Sequence, residues 1–323
     1  MRDVTEQAHR HGYDNMQQGA PIHGTSVIGH AEAHTGNRLA DDVVAPRNAT
    51  HREPVMSKTL QTNVLQAADG WTVAANLSFS DGPDVDRTVW TSPHWISSSD
   101  NPSFLGRTAL RNLPDFGIPL GCVPVANGRA QLILSSWNPR DPDNTSFLGA
   151  QISTREKWGL GSYEKVAFQA RVRCPFGMPG GAVASLFSYN LLSTDPFQHD
   201  EIDFEFASNY WQGAHEAINT NVYLDDNSGI DLVVPTTVDF SGPIDFMIVW
   251  SSEDIRWYIN DALVRTETSV PQSDMSLTLN VWVPGSDWGW AYNADLQAAT
   301  APGTQWIYEV DWANVYVQGA KGG

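Results

Sequence analysis

From Trp71 onward, the chain consists of short segments in which apolar and polar residues alternate, separated by turn residues. Alternation with a period of two is typical of β-strands, because successive side chains point to opposite faces of a sheet. The clearest example is 163–173, which places Val166, Phe168, Ala170 and Val172 on one face. The pattern predicts strands at 130–134, 163–173, 182–189, 219–224, 245–250, 255–259, 277–283 and 306–317.

Turn signals support the same architecture. Asn127-Gly128 precedes one predicted strand, and Asn260-Asp261 follows another. Such dipeptides favour tight hairpins. No segment has a convincing helical period, and no internal repeat is visible. Many short strands joined by turns indicate an all-β fold of antiparallel sheets, either a two-sheet sandwich or a jelly roll.

Residues 1–60 have a different character. They contain six histidines and many polar residues, but few large apolar ones. Such a segment cannot bury enough surface to offset the entropy of ordering it. We expect 1–60 to be a poorly ordered N-terminal extension and 61–323 to form the folded domain. The histidines, at 9, 11, 23, 30, 34 and 51, show no tight ligand spacing.

Three acidic residues carry the strongest chemical signal. Glu201, Asp203 and Glu205 alternate with Ile202, Phe204 and Phe206, so on a strand the carboxylates share one face and the apolar side chains the other. Crowded carboxylates shift one another's pKa values, so that one can stay protonated while another is ionised. Cleavage of a glycosidic bond uses such a pair.

Two other interpretations of the acids remain open at this point. His199 lies on the same face, so that the acids and this histidine could bind a divalent metal, although no second histidine lies nearby. Alternatively, the acids form a structural stripe on a lectin-like sandwich.

The charge of the chain narrows the possible partners. The formal net charge is -18 and the pI about 4.7. This balance argues against nucleic acid, whose phosphates need cationic neutralisation, and against anionic membrane surfaces. A neutral substrate or a divalent cation fits better.

No segment approaches the roughly 18 apolar residues of a membrane span. The two cysteines, Cys122 and Cys174, either form one bridge or are two thiols.

The run Asp200-Glu201-Ile202-Asp203-Phe204-Glu205-Phe206 resembles the signature of glycoside hydrolase family 16. It has the bulge-free Glu-x-Asp-x-Glu form of lichenases and plant xyloglucan endotransglycosylases/hydrolases. Similar segments follow the family order at 185–189, 219–223, 255–260, 279–282 and 310–316. The resemblance covers about residues 75–318.

The resemblance implies a jelly roll with a concave substrate cleft and a retaining double-displacement mechanism. It implies that Glu201 is the nucleophile, that Glu205 is the acid/base and that Asp203 orients and tunes the pair. Substrate-binding residues implied by the same matching, or by position near the cleft, are Arg155, Phe187, Tyr189, His199, Asn221, Tyr223, Asn280, Trp282 and Trp288. No cofactor is expected for the chemistry. A structural calcium is implied on the convex side, with the carboxylate of Asp311 and a carbonyl near Gly128 as ligands.

These observations predict an endo-acting β-glucanase acting on β-1,4 or mixed β-1,3-1,4 linkages in a glucan or a related exopolysaccharide. The alternatives are a transglycosylase using the same residues and a non-catalytic glycan-binding module. We expect a polysaccharide substrate and a monomeric protein. Residues 1–56 show no apolar segment typical of a signal peptide, but polymeric glucans rarely enter the cytoplasm, so we expect action outside the cell.

Overall fold

A computed structural model of the chain describes residues 65, 69–92, 106–110, 123–141, 143, 145–175, 177–211, 217–224 and 229–322. The predicted N-terminal extension, 1–60, lies outside the described residues. Cys122 also lies outside them, whereas Cys174 carries a buried free thiol. In the part of the chain that is described, no helix is both long and apolar enough to span a bilayer.

Strands dominate the described residues. They are β1 (Thr72–Ser78), β2 (Trp90–Thr91), β3 (Thr108–Leu110), β4 (Val125–Ala126), β5 (Arg129–Ser135), β6 (Phe147–Thr154), β7 (Trp158–Gly159), β8 (Tyr163–Arg173), β9 (Val183–Thr194), β10 (Phe197–Ala207), β11 (Ala217–Tyr223), β12 (Leu232–Pro235), β13 (Ile244–Ser251), β14 (Ile255–Ile259), β15 (Ala262–Glu267), β16 (Asp274–Trp282) and β17 (Gln305–Ala320). One 3₁₀ helix, Ser208–Trp211, follows β10.

The strands form two layers. The layer that we call the front sheet has the order β12-β11-β10-β9-β16-β6-β2, with antiparallel pairing throughout. The back sheet has the order β15-β14-β13-β8-β17, and the far edge of β17 is shared by β5 and β1. The predicted all-β jelly-roll sandwich is therefore confirmed.

The core lies between the two sheets and is built from the apolar face of each strand. Ile202, Phe204 and Phe206 are at most 1% exposed, as the alternation along β10 predicts. Phe204 stacks on Phe246 of β13, with ring centres 4.9 Å apart. Such aromatic contacts bury large apolar areas and fix the spacing of the layers. The apolar half of β10 therefore anchors the strand whose other half carries the acids.

Both predicted hairpin turns are present. Asn127 and Gly128, between β4 and β5, have φ of 55° and 70°, and Asn260 and Asp261, between β14 and β15, have φ of 48° and 66°. Two successive positive φ angles define the type I′ turn, whose twist matches that of the flanking strands.

Two features of the front sheet differ from the sequence-based expectation. The strand predicted at 182–189 continues to Thr194 and forms a long hairpin with β10, although residues 190–194 have no apolar alternation. The pattern also does not reveal β6, which contains Gly149. A Cβ at this position would lie 2.5 Å from the Val281 carbonyl oxygen, so close packing against β16 requires glycine there.

Candidate active site

The acids occupy three alternate positions of β10, in the middle of the front sheet. Strands β9 and β11 flank β10, and cross-strand partners share a face in an antiparallel pair. Each acid therefore has a neighbour on either side on the same face. The pairs are Tyr189 and Tyr223 for Glu201, Phe187 and Asn221 for Asp203, and Ser185 and Asn219 for Glu205. Side chains from three strands thus surround the acids.

All three carboxylates open into one depression that encloses about 410 Å³ of empty space, partly continuous with solvent. Glu201, Asp203 and Glu205 are 8%, 4% and 7% exposed, so they are largely withdrawn from water but still reach the pocket. The pocket is lined by Tyr189, Phe197, His199, Glu201, Asp203, Glu205, Tyr223 and Trp288. The arrangement combines acidic groups with aromatic walls.

Glu201 is oriented by a neighbouring histidine. His199 Nε2 lies 3.1 Å from Glu201 Oε2. The imidazole is enclosed by the rings of Tyr189, Phe197 and Tyr223, whose centres lie 5.5, 5.2 and 5.0 Å away. Burial and then the charge of Glu201 raise the pKa of the Tyr189 hydroxyl, so this group stays neutral. One oxygen of Glu201 is therefore held within an aromatic enclosure.

Glu205 has a different environment. Burial, followed by the charges of Glu201 and Asp231, raises its pKa to about 8. The Asn219 amide Nδ2 donates a hydrogen bond of 2.8 Å to Glu205 Oε2, which opposes this rise. Glu205 is thus protonated at neutral pH, as a general acid requires.

Asp203, between the two glutamates, also keeps its proton. Burial raises its pKa well above the ordinary value, and the charges of Glu201 and Glu205 and a hydrogen bond with Glu201 add to this effect. The positive charge of Arg265 opposes it. Crowded acids of this kind titrate as a group. The arrangement provides proton donors next to a carboxylate, as the sequence pattern suggests.

The structure brings some predicted substrate residues to the pocket but not others. Tyr189, His199, Tyr223 and Trp288 line it with the acids. The other five predicted substrate residues do not line the pocket. Phe187, Asn221, Asn280 and Trp282 occupy the same face of the front sheet but are buried beside the pocket, and the exposed Arg155 donates a hydrogen bond of 2.7 Å to the Arg87 carbonyl.

Trp282 packs as a structural residue would. Its ring meets that of Trp288 edge to face at 4.8 Å, within a cluster of buried apolar side chains that includes Leu110 and Val183. The indole nitrogen of Trp288, by contrast, is buried without a hydrogen-bond partner. Trp282 therefore supports the tryptophan that reaches the pocket.

Two residues of the site are missing from the sequence-based set. Asn219, which contacts Glu205, shares the alternation of Asn221 and Tyr223 along β11, so the strand pattern contains a signal for it. Phe197 lines the pocket and lies two residues before His199, in the same alternation along β10 as the acids, so the pattern contains a signal for it as well. The register shift between Gln198 and His199 places its extra residue, Leu192, on β9.

The residues proposed for calcium do not fit that ion. Asp311 faces two guanidinium groups: Arg129 Nε lies 2.9 Å from Oδ1, and an Arg173 nitrogen lies 3.5 Å from Oδ2. Two cations next to the carboxylate would repel a third. The carbonyl near Gly128 stays a prediction, and the Gly128 amide donates at 2.6 Å to Oδ1 of Asp81, a residue of a distant segment.

The alternative of a metal bound by the acids and His199 also lacks support. Among the described residues, no group of three histidine, cysteine, aspartate or glutamate side chains has an arrangement that could hold a metal ion. His199 instead contacts Glu201 directly.

Comparison with known proteins decides between the remaining classes. The family model of the glycosyl hydrolases family 16 matches residues 125–314, which include all three acids. The chain belongs to glycosyl hydrolase family 16. The resemblance of the motif at 200–206 to this family is thereby confirmed, and a structural stripe on an unrelated lectin is not supported.

Individual relatives within family 16 are distant. The chain is 29% identical over 143 residues to an endo-1,3-1,4-beta-glycanase of Rhizobium meliloti (strain 1021), covering 42% of this chain and 48% of that protein. It is 26% identical over 165 residues to xyloglucan endotransglucosylase/hydrolase protein 2 of Arabidopsis thaliana, covering 45% and 51%. The chain thus spans about half the length of these curated relatives.

Solved structures show the same fold. A prokaryotic β-1,3-1,4-glucanase (lichenase) derived from a mouse hindgut metagenome superimposes with a TM-score of 0.54 at 21% identity, covering 75% of this chain and 99% of the lichenase. The family 16 architecture therefore extends over most of the folded part of the chain.

Proposed function

We propose that this protein is a retaining endo-β-glucanase that cleaves β-1,4 or mixed β-1,3-1,4 linkages in a glucan or related exopolysaccharide. The observation that carries the proposal is the shared pocket of Glu201, Asp203 and Glu205, in which burial raises the pKa of Glu205 to about 8. A proton donor and a carboxylate nucleophile that open into one pocket fit double displacement.

In the first step, Glu205 donates its proton to the glycosidic oxygen as the bond to the anomeric carbon breaks. The Glu201 carboxylate forms a covalent ester with that carbon, and the leaving chain departs with the new hydroxyl. In the second step, Glu205 removes a proton from water. The water oxygen then attacks the anomeric carbon and the Glu201 ester bond breaks, which restores both acids.

The other groups of the pocket assist these steps. His199, 3.1 Å from Glu201, keeps one carboxylate oxygen in place, so that the other is free to attack. Asp203 shares a hydrogen bond with Glu201 and can strengthen it when the ester breaks and the charge returns. The rings of Tyr189, Phe197, Tyr223 and Trp288 offer apolar faces on which pyranose rings can stack.

A glucan substrate also fits the charge of the pocket. The Glu201 carboxylate would repel an anionic polysaccharide, whereas a neutral glucan carries no such penalty. The relative from Rhizobium meliloti is named for action on 1,3-1,4 linkages, which supports the mixed-linkage choice.

We further propose that the protein acts outside the cell, because a polymeric glucan is found there. We also propose that it acts as a monomer.

The alternative is transglycosylation, favoured by the similarity to a plant xyloglucan endotransglucosylase/hydrolase. The same residues would act, but the hydroxyl of a second sugar would replace water in the second step. Added oligosaccharide acceptors separate the two reactions, since transfer yields products longer than the donor.

A panel of purified glucans with defined linkages tests the proposal, with reducing ends as the readout. We expect the wild type to cleave β-1,4 or mixed-linkage glucan, and Glu201→Ala to lose cleavage while retaining its fold by circular dichroism. Glu164→Ala, at an exposed position on β8, is the matched control. Binding of glucan by the wild type without any cleavage or transfer would instead establish a glycan-binding module.

A further inference from the structure

A buried arginine lies behind the acids, on the opposite face of the front sheet. Arg265 belongs to β15 of the back sheet and is 6% exposed. One terminal nitrogen donates to the carbonyl oxygen of Thr220 at 2.8 Å and to its hydroxyl at 3.0 Å. The other donates to the carbonyl oxygen of Ile230 at 2.8 Å and to Glu267 Oε2 at 3.1 Å. The guanidinium therefore crosses the interior and binds the front sheet.

Its target strand is the one beside the acids. Thr220 lies on β11 and pairs with Phe204, the residue between Asp203 and Glu205. Thr220 and Phe204 share the core face of their strands, whereas Asn219 and Asn221 face the pocket with the acids. Arg265 thus contacts the strand pair that carries the site, but from the side away from the substrate.

Trp257 completes the contact. The Arg265 guanidinium carbon lies 4.7 Å from the centre of the Trp257 ring, a cation–π arrangement. The indole Nε1 of Trp257 donates a hydrogen bond of 2.9 Å to the backbone carbonyl of Asp203. Trp257 is fully buried, so it cannot adjust without disturbing the core. The indole hydrogen bond joins Trp257 to β10, the two Thr220 contacts join Arg265 to β11, and the cation–π contact joins the two residues to each other.

The charge of Arg265 has a direct electrostatic consequence. Three carboxyl groups crowd the pocket face, and ionising more than one of them is costly where water is excluded. A guanidinium stays charged at every accessible pH, and it acts through a low-dielectric interior. It lowers the pKa of Asp203 against the effects of burial and of the two glutamates.

We propose that Arg265, held against Trp257, is a positioning and charge-balancing residue that fixes the acid-bearing strand from behind and sets the pH range in which the acids work. This inference rests on the proposed glucanase function for its catalytic readout. Glu201 and Glu205 also act on the pKa of Asp203, and Asp231 acts on that of Glu205. The other titratable groups that face the same pocket are His199, Tyr189 and Tyr223.

The first experiment compares Arg265→Met with Arg265→Lys. Loss of the positive charge in Arg265→Met disfavours ionised acids, so both limbs of the kcat/KM pH profile are expected to move upward by about 0.5 to 1 pH unit. Arg265→Lys keeps the charge and should restore the wild-type limbs, even where the lost hydrogen bonds lower stability. A purely structural arginine would lower stability in both variants without moving the limbs.

The second experiment uses Glu267→Gln, which removes the partner of Arg265 and leaves the arginine in place. Without the negative charge of Glu267, the positive charge of Arg265 stabilises ionised acids more strongly. Both limbs of the kcat/KM pH profile should therefore move to lower pH. This shift is opposite in direction to the one expected for Arg265→Met, so Glu267→Gln tests the inference even if Arg265→Met does not fold. Trp257→Phe keeps the ring but loses the donor to Asp203, so kcat should fall while the limbs stay near those of the wild type.

An activity-independent readout separates this inference from the proposed function. The difference in melting temperature between the wild type and Arg265→Met should grow as the pH rises from 5 to about 8.5, because more acids ionise without their cation. Arg256→Met, which removes an exposed arginine of β14, is the control and should show a constant difference. A pH-independent loss in Arg265→Met, with unmoved limbs in every folded variant, would overturn the inference even if the wild type cleaves glucan.

Discussion

Asn219 donates a hydrogen bond of 2.8 Å from its side-chain amide to Oε2 of Glu205, directly across the β10–β11 pair. This contact joins the proposed acid/base to a residue on the neighbouring strand. It lowers the pKa of Glu205, while burial and the charges of Glu201 and Asp231 raise it. The balance of these effects sets the pH above which the proton donor is lost.

Replacing Asn219 with alanine should therefore extend activity to higher pH. Without the hydrogen bond, the pKa of Glu205 rises further, and the basic limb of kcat/KM should move upward by about one pH unit. Asn221→Ala is a matched control, since Asn221 lies on the same face of β11 but its side-chain oxygen accepts from the Val222 amide. A basic limb that moves equally in both variants would contradict this role.

Glu205→Gln should make the protein more stable at alkaline pH. The pKa of Glu205 is about 8 in the folded protein, against an ordinary value of 4.5. The folded state therefore retains a proton that the unfolded chain releases, and stability falls as the pH rises from 4.5 to about 8. Each pKa difference of one corresponds to about 1.4 kcal/mol.

The measurement is the melting temperature of wild type and Glu205→Gln between pH 4 and 9. The advantage of the variant should be smallest below pH 4.5, increase through the window and level off above pH 8. Glu253→Gln, at an exposed turn position, provides the comparison and should show no such increase. A constant difference across the series would mean that Glu205 does not hold its proton in the folded state.

His199→Ala should lower kcat by about 10- to 100-fold, since a hydrogen bond to a charged group contributes about 1.5 to 3 kcal/mol. The loss should appear in kcat more than in KM, because Nε2 contacts Glu201. His199→Gln can still donate to this oxygen and should recover part of the rate. An equal loss in both variants would indicate that the imidazole acts through its ring contacts with Tyr189 and Tyr223 instead.

Chelation should leave the stability of the protein unchanged. Asp311 is paired with Arg129 and Arg173, so we expect EDTA and added calcium to change the melting temperature by less than about 1 °C. Asp311→Asn should instead destabilise the protein by about 1 to 3 kcal/mol, because Arg129 and Arg173 then keep only the more distant carboxylate of Glu309, 3.9 and 3.7 Å away, as a counterion. Asp254→Asn, at an exposed pair with Arg256, should cost less. A clear calcium-dependent rise in melting temperature would contradict the arginine pairing.

The alternation of the chain predicts the sheet architecture and the face on which the acids lie. Glu201, Asp203 and Glu205 could be placed together because a period of two is a local property of a strand. The alternation of β11 also indicates the face of Asn219, but the contacts that Asn219 and Arg265 make depend on which residues of distant strands face each other. Register and layer packing are set by loop geometry and core shape, which one segment does not encode.

Chemical type and position in a motif likewise do not determine what a particular residue contacts. Trp282 is equivalent to Trp288 in chemical type, yet Trp288 lines the pocket while Trp282 packs behind it. Asp311 matches a calcium ligand by its position in a motif, but the nearby arginines come from two other strands. In both cases, the neighbours that decide the role are far away in sequence.

The placement of all three acids on a single strand also constrains how this protein can evolve. Inserting or deleting one residue between Glu201 and Glu205 would break the period of two, so that the acids on either side of the change could no longer share one face. Length changes should therefore be tolerated in the connections between strands and selected against within β10. Divergence of substrate preference within this lineage is expected to proceed by remodelling the loops around an unchanged strand.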